Sequence, residues 1–398
     1  MTLQEQKGLS ISAFKPLVTL VPGSPNTVSV DLTRNPIGLF HPTTYSHNIT
    51  ATEGFVSASF QLDATQMTLE WLLNELLGAH IEVRDEANSI IWEGFANALD
   101  YAVGGTTFRF GPVNEIVNRV MLKYKRLYTG TNPPNVGAST NSPIYEVQTS
   151  QERWGIRYSI INAGERTEDD IAQCAYALLV LRAGPRPKTR HSTGSSESAT
   201  LTVAALGYVS LLKQAPCYFE SANEVDLSDK LAAILDAEPN GIINSANAVI
   251  EANAVQVPEN EDTYRDAMTV ISNLVQRGNA AYQRTIFMVE EGRRIRYQTA
   301  PTTIKYVLRN VRGQQRVSLG WSDTFIPEAL VRAGEWLYLS GSLPNMKRSD
   351  SAALIDDPRA LFIESVKFDL EGGLELDGAG DDNMVSRLDK FELGTEAH

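Results

Sequence analysis

IEVRDEANSIIWEGFANALDYAVGGTTFR, residues Ile81–Arg109, sets the fold class. Ile81–Arg84 reads as a short strand closed by the polar turn Asp85–Ser89, and Ile90–Phe95 resumes it. Leu99–Val103 and Thr106–Phe110 are joined by Gly104-Gly105, a hairpin signal, because a two-residue turn that matches strand twist needs positive φ at both positions. Immediately upstream, Thr68–Leu77 changes period. Leu69, Leu72, Leu73 and Leu76 fall on one helical stripe, and Gly78 is placed to end it in a left-handed conformation. Further back, Gly54–Leu62 alternates, with Phe55, Ser57, Ser59 and Gln61 on one face and Val56, Ala58, Phe60 and Leu62 on the other. Tyr45–Thr50, Thr27–Leu32 and Leu17–Leu20 read as strands, the last two separated by Pro22-Gly23-Ser24-Pro25. Residues 1–127 are therefore expected to form a β-barrel or sandwich carrying a single helix.

Downstream, residues 128–150 turn to Thr, Asn, Pro, Gly and Ser, a composition that predicts a linker or long loop. Residues 151–255 read as a more helical middle segment. Thr167 with Asp170 resembles a capping box, and Ile171, Cys174, Leu178 and Leu181 repeat at helical spacing until Gly184-Pro185. A basic loop, Arg186–Ser196, follows, and helices are expected over Thr200–Lys213 and Asp226–Leu235. In residues 256–398 the order of helix then hairpin recurs: Asp262–Arg277, with Tyr264, Ala267, Met268, Ile271, Leu274 and Val275 on one face and Gly278 as the stop, precedes Thr285–Glu290 and Arg294–Gln298. Trp336–Ser340, Ala360–Asp369 and Gly373–Leu376 read as closing strands. The expected class is α+β and β-rich: two antiparallel barrel or sandwich modules around a more helical middle.

At 398 residues the chain exceeds one ordinary core. No apolar run approaches the roughly 18 residues of a membrane span; Ala175–Leu181 is interrupted by Arg182. The first residues, Met1–Gly8, lack a secretory pattern, so the chain is expected to be made and assembled in the cytoplasm without stable membrane anchoring. Cys174 and Cys217 have no metal or disulfide spacing and read as buried small hydrophobes. The net charge of −13, from 48 acidic and 35 basic residues, opposes tight phosphate-backbone binding, so no specific nucleic-acid binding is expected.

The five histidines, His41, His47, His80, His191 and His398, show no metal-ligand spacing. His41 and His47 could meet across a turn at Pro42, but they read more simply as surface or satisfied side chains. Glu168-Asp169-Asp170, Glu290-Glu291 and Asp381-Asp382 fall at helix starts or turns, where the helix dipole and solvation account for them. Asp377–Asn383 has oxygen ligands but lacks a twelve-residue calcium loop with its terminal Glu, and reads as a solvated acidic turn. No nucleophile elbow or phosphate-binding glycine loop occurs. Arg182, Arg186, Lys188, Arg190 and His191 form the one basic cluster, and Arg186, Lys188 and Arg190 are its candidate partner contacts. Trp71, Trp92, Trp154, Trp321 and Trp336 are scattered and read as core or interface anchors. No catalytic, cofactor-binding or metal residues are assigned, no cofactor is called for, and an enzyme is not expected.

Ile81–Arg109, together with DTYRDAMTVISNLVQRGNAAYQRTIFMVEEGRRIRY (Asp262–Tyr297) and DDPRALFIESVKFDLEGGLEL (Asp356–Leu376), resembles the baseplate hub and tail-tip proteins of tailed phages, which are built on two tail-tube-like barrels. That resemblance implies a structural virion protein of the tail tip. It implies a homotrimer whose six barrels make a pseudo-sixfold ring, docked on a distal tail or tube protein ring and linked to a tail fibre or central spike protein. It also implies a conduit for DNA, for which the acidic balance is suited. Residues 150–260 match no hub motif. Two other readings stay open: a hexameric distal tail or fibre-attachment ring, and a tail-associated cell-wall hydrolase.

Overall fold

The computed structural model describes residues 9–16, 28–31, 40–130, 135–191, 199–217, 223–259, 265–311, 314–322, 324–340 and 360–379. The expected strand Leu17–Leu20, the turn Pro22–Pro25, Tyr264, the acidic pair Asp381-Asp382 and His398 lie outside the described residues.

The class is α+β and β-rich. A central ladder runs through Lys188–His191, Thr106–Phe110, Ile90–Val103, Thr200–Leu206, Gly54–Ala64, Phe40–Thr50, Ala360–Asp369 and Gly373–Ala379, each antiparallel to the next. Two long strands fork it. Ile90–Val103 pairs with Ala79–Arg84 and then with Thr106–Phe110 along one edge, while Thr200–Leu206 occupies the other. Ala360–Asp369 likewise pairs with Trp336–Ser340 along its first part and Phe40–Thr50 along its second. Ser10–Pro16 extends the first fork by pairing with Ala79–Arg84. Ile304–Val311 extends the second, parallel to Trp336–Ser340 and antiparallel to Gln314–Leu319.

Local chemistry explains the elements the sequence predicted. Helix Gln66–Leu76 begins where the Thr65 hydroxyl accepts from the Thr68 amide, buries Leu69, Leu72 and Leu76, and is followed by Gly78 at φ +78°. Gly104 and Gly105 both hold positive φ in the expected hairpin. Helix Ala267–Arg277 is capped by Asp266 and stopped at Gly278, and its face of Ala267, Met268, Ile271, Leu274 and Val275 is buried. The hairpin Thr285–Val289 with Ile295–Thr299 turns at Gly292, also at positive φ.

Several expectations are corrected. Thr200–Leu206 is a strand rather than a helix, and only Val209–Leu212 is helical in that segment. Its side chains alternate, with Leu201, Val203 and Ala205 buried, so the period is two and the strand fills the gap between Gly54–Ala64 and Ile90–Val103. Gly54–Ala64 does not alternate throughout. Against Phe40–Thr50, Ser57 faces Asn48 and Phe55 faces Ile49, leaving Val56 as the extra residue of a β-bulge, and Phe55 thereby joins Ala58, Phe60 and Leu62 in the core. Residues 128–150 are not a loop throughout: Asn135–Asn141 pairs antiparallel with Arg119–Tyr128, and a helix starts at Gln148. Cys217 is buried as expected, but Cys174 is exposed.

Modules drawn at residues 127, 150 and 255 exchange strands, because Thr200–Leu206 and Ala360–Asp369 both pair with strands of the first hundred residues. The hydrophobic cores follow the sheet rather than the chain. The largest extends from Leu9 through Leu72, Trp92 and Val203 to Tyr338 and Leu370. A second gathers helices Leu227–Asp236 and Ala267–Arg277 with Phe95, Tyr208 and Phe287. A third lies under helix Glu168–Arg182, on a small sheet in which Arg119–Tyr128 is flanked by Asn135–Asn141, Tyr145–Glu146 and the parallel Tyr158–Arg166. Among the described residues no helix is long and apolar enough to cross a membrane.

Two substitutions test this arrangement. Leu72→Asp places an unpartnered charge in the largest core and is expected to destabilise by on the order of 4 kcal/mol; a soluble, cooperatively unfolding variant with an unchanged urea midpoint would contradict the helix placement. At Gly207 a Cβ would collide with the Phe55 carbonyl oxygen. Gly207→Ala is therefore expected to lower stability by about 1–3 kcal/mol, measured by the same unfolding midpoint.

Candidate functional site

The basic cluster singled out in the sequence is divided by the structure. Arg186 donates from its guanidinium to the Leu181 carbonyl and so satisfies the last turn of helix Glu168–Arg182. Lys188 and Arg190 stand opposite Arg109 and Thr107 on strand Lys188–His191, so the expected loop begins as an edge strand. A cavity of about 200 Å³ is lined by Arg182, Arg186 and Lys188 together with Glu115, Gly111 and Pro112. Arg186, Lys188 and Arg190 are all exposed, which is the geometry of a contact surface rather than of an enclosed ligand site.

The acidic groups behave as capping and pairing residues. Thr167 and Asp170 exchange both hydrogen bonds of a capping box, and Glu168 pairs with Arg126. Glu290 lies 2.8 Å from Arg296, and its burial raises its pKa against that pairing. Asp377 accepts from the Ser365 hydroxyl across a strand pair. Among the described residues, no group of three or more His, Cys, Asp or Glu side chains is placed to hold a metal ion.

His41 and His47 do not meet. They sit six residues apart on the one extended strand Phe40–Thr50, a separation of about 20 Å. His47 is buried, its Nδ1 2.9 Å from the Tyr45 hydroxyl and its ring stacked on Phe368, while Nε2 has no hydrogen-bond partner among the described residues. Burial, followed by the positive field of Arg332, lowers its pKa to about 3.

Among the described residues, one buried polar cluster was not singled out by the sequence reading. His80 is fully buried, with Nδ1 2.6 Å from the Tyr208 hydroxyl and Nε2 3.0 Å from Glu82 and 3.9 Å from Glu93. Arg84 donates to Glu82 from Nε and Nη2, at 3.0 and 2.7 Å. Glu93 accepts from the Gly292 amide and lies 3.8 Å from Arg293, whose guanidinium stands over the Tyr208 ring. Burial raises the Glu93 pKa although His80 and Arg293 pull against it. Burial also acts to raise Glu82, but hydrogen bonds and charge from His80 and Arg84 outweigh it and hold that carboxyl below its ordinary value.

A histidine between a tyrosine and two carboxylates has the composition of a proton-transfer site, but not the access. His80, Glu82 and Glu93 are at most 4% exposed, and none of them lines the described cavities beside Tyr124, Arg182 or Arg332. What the cluster does is join two hairpins, Ala79–Arg84 with Ile90–Val103 and Thr285–Val289 with Ile295–Thr299, through the turn at Gly292-Arg293. A second clamp lies nearby, where Arg332 donates to the Ile90 and Ile91 carbonyls and stacks over Phe55. Neither clamp carries a local sequence signature, since the partners are about two hundred residues apart.

Two helices carry part of the exposed apolar surface, which elsewhere includes Tyr282 and Val249. On Gln66–Leu76, Met67 is 80% and Trp71 48% exposed; on Glu168–Arg182, Val180 is 85%, Tyr176 60% and Leu181 59% exposed. Trp92, Trp154 and Trp336 are buried and Trp321 is half-buried against Tyr338, so Trp71 is the exposed tryptophan, in the position of an interface anchor.

Two outcomes follow from the buried groups. A histidine with a lowered folded pKa keeps its stabilising contribution above pH 6.5 and loses it as pH falls toward about 3, because the unfolded chain binds the proton first. His47→Phe is therefore expected to flatten the decline of stability over that window, seen in unfolding midpoints from pH 7 to pH 4. Glu93→Ala strands Arg293 in the interior and is expected to cost on the order of 3–5 kcal/mol, more than Glu93→Gln in the same assay.

No family model matches the chain, and no curated protein matches it. Among solved structures it is similar to the tail protein of Neisseria meningitidis MC58, at 8% identity and a TM-score of 0.40, over 94% of this chain and 97% of that one. It is also similar to the 43 kDa tail protein of prophage MuSo2 from Shewanella oneidensis, at 9% identity and a TM-score of 0.41, over 95% and 98%.

Proposed function

We propose that the chain is a structural virion protein: a ring-forming hub at the distal tip of a phage tail. In this reading it assembles as a homotrimer, docks on a distal tail or tube protein ring, carries a tail fibre or central spike protein, and leaves a central passage for DNA. The observation that carries the reading is the contrast between interior and surface. The acid–base cluster around His80 is sealed within the protein, while large apolar side chains on two helices face outward. Sealed polar groups fix how segments meet; exposed apolar faces serve assembly. The resemblance of Ile81–Arg109 and Asp262–Tyr297 to tail-tip hub proteins supplies the kind of assembly.

Electrostatics supports the passage. At a net charge of −13 the chain offers little counterion release to a phosphate backbone, so DNA would slide rather than be held. The basic groups Arg182, Arg186 and Lys188 gather beside one helix end and suit an acidic protein surface better than a long duplex.

Light scattering of the full chain is expected to give the mass of three copies, and negative-stain averages a ring with a central opening. Six copies would move the assignment to a distal tail ring, and a compact monomer at high concentration would overturn ring formation. Short duplex DNA is expected to be retained more weakly than about 1 μM at physiological salt; tighter retention in a filter or polarisation assay would contradict the inert passage.

A further inference from the structure

Over most of its length, one side of the central ladder lies outside the hydrophobic cores. Directly opposed residues of an antiparallel pair point to the same side of a sheet, so the register can be followed across all eight strands. Lys188 stands opposite Arg109, Arg109 opposite Asp100, Asp100 opposite Thr202, and Thr202 opposite Gln61. From Gln61 the same side continues to Thr44 and, along that strand, to Ser46 and Asn48; Asn48 faces Lys367, which faces Glu375. The other side is core, with Leu201, Val203, Phe60, Leu62, Tyr45 and Phe368 all buried. On the first side Thr202, Gln61, Ser59, Ser46 and Asn48 keep partial access to solvent. Only toward Leu206 does that side meet the second core.

The charge pattern on this side is specific. The four middle strands, Ile90–Val103, Thr200–Leu206, Gly54–Ala64 and Phe40–Thr50, contain no lysine or arginine, in a chain where 35 of 398 residues are basic. Their open side offers hydroxyl, amide and small side chains. Nearer the ends of the ladder, charges are set against one another: Arg109 lies 3.8 Å from Asp100, and Lys367 lies 3.1 Å from Glu375. Lys188 and Arg190 stand on the edge strand alone.

We infer that this polar side of the ladder is the wall of the DNA passage, with the apolar side turned into the body of each subunit. This rests on the ring-forming reading and says which surface the duplex passes. A sheet face that docks a protein needs apolar anchors at its centre, and the middle strands offer none on this side. Hydroxyl and amide groups are satisfied by water, and without cations they release no counterions from a phosphate backbone, so a duplex meets no fixed stop there. The dimensions agree. Eight strands about 4.8 Å apart make a wall roughly 38 Å wide. Three such walls would enclose a passage roughly 36 Å across between backbones, wide enough for a duplex.

The test locates the face in the assembled full-length chain. Ser59→Cys, and separately Thr202→Cys, in a Cys174→Ser background leaves one reactive thiol, because Cys217 is buried. Maleimide-linked gold on these thiols should appear at the inner radius of negative-stain ring averages. Gold at the outer radius, or thiols that the ring shields even from a small maleimide, would overturn the wall assignment while leaving ring formation standing. A second measurement reads the charge. Ser46→Lys, Ser59→Lys and Thr202→Lys together should tighten retention of short duplex DNA by about tenfold or more and steepen its salt dependence. Lysines at Gln173, Ala177 and Val180, exposed on helix Glu168–Arg182, should change retention much less. Equal tightening by both sets would also count against the wall. A wild-type chain that stays monomeric at high concentration would overturn the ring reading and this inference with it.

Discussion

The structure depends on the pairing of Thr200–Leu206 with two strands that precede it by about a hundred residues or more. One edge of this strand meets Gly54–Ala64 and the other meets Ile90–Val103, so it closes a gap that the first hundred residues cannot close themselves. Without it, two long strands would present unpaired amide and carbonyl groups against a core of Phe60, Leu62 and Leu99, a cost that buried backbone does not sustain. The contacts at the C-terminal end of the strand are backbone against backbone. Gly207 admits the Phe55 carbonyl, and Gly94 admits that of Leu206, at positions where any side chain would force the strands apart.

Around that ladder, the buried ions act less as a source of stability than as a determinant of which segments meet. Desolvating His80, Glu82, Glu93 and Arg293 offsets much of what their mutual attraction returns. The arrangement nevertheless penalises every alternative, because a hairpin docked in another register would leave Glu93 without Gly292 and Arg293, or Arg293 without Glu93. Arg332, bonded to the carbonyls of Ile90 and Ile91 and stacked on Phe55, adds the same kind of constraint from the last third of the chain. A rigid body with an orientation fixed between its parts is what an assembly subunit requires. The two outward helices then present their apolar faces on a frame that does not yield.

Much of the local structure was legible in the sequence. The leucine stripe of Gln66–Leu76, the double glycine at Gly104-Gly105, the Thr167–Asp170 box and the Gly278 stop are each specified within a few residues, by side-chain period, a cap or the need for positive φ. The β-rich class followed from these, and of the two cysteines read as buried small hydrophobes Cys217 is buried. Where the structure departs, the deciding partner lies far along the chain. Thr200–Leu206 has Ala, Leu and Val in a pattern that suits a helix or a strand, and the open slot between two distant strands decides for the strand. The β-bulge at Val56 exists because Phe40–Thr50 opposes it with one residue fewer, which no reading of Gly54–Ala64 alone can register.

The sequence by itself thus determined the elements marked by a cap, a turn glycine or a clear stripe, because capping, turn conformation and periodicity act over three to eight residues. Tertiary structure alone decided that the first and last parts of the chain share one sheet and one core, that His80 meets Tyr208, Glu82 and Glu93, and that Cys174, Tyr176 and Val180 stay outside. Burial is a property of what covers a side chain, not of the side chain itself. Helix Glu168–Arg182 shows this most plainly: its apolar residues run around much of its circumference, and the narrow stripe offered by its small sheet selects which of them are buried and which stay exposed.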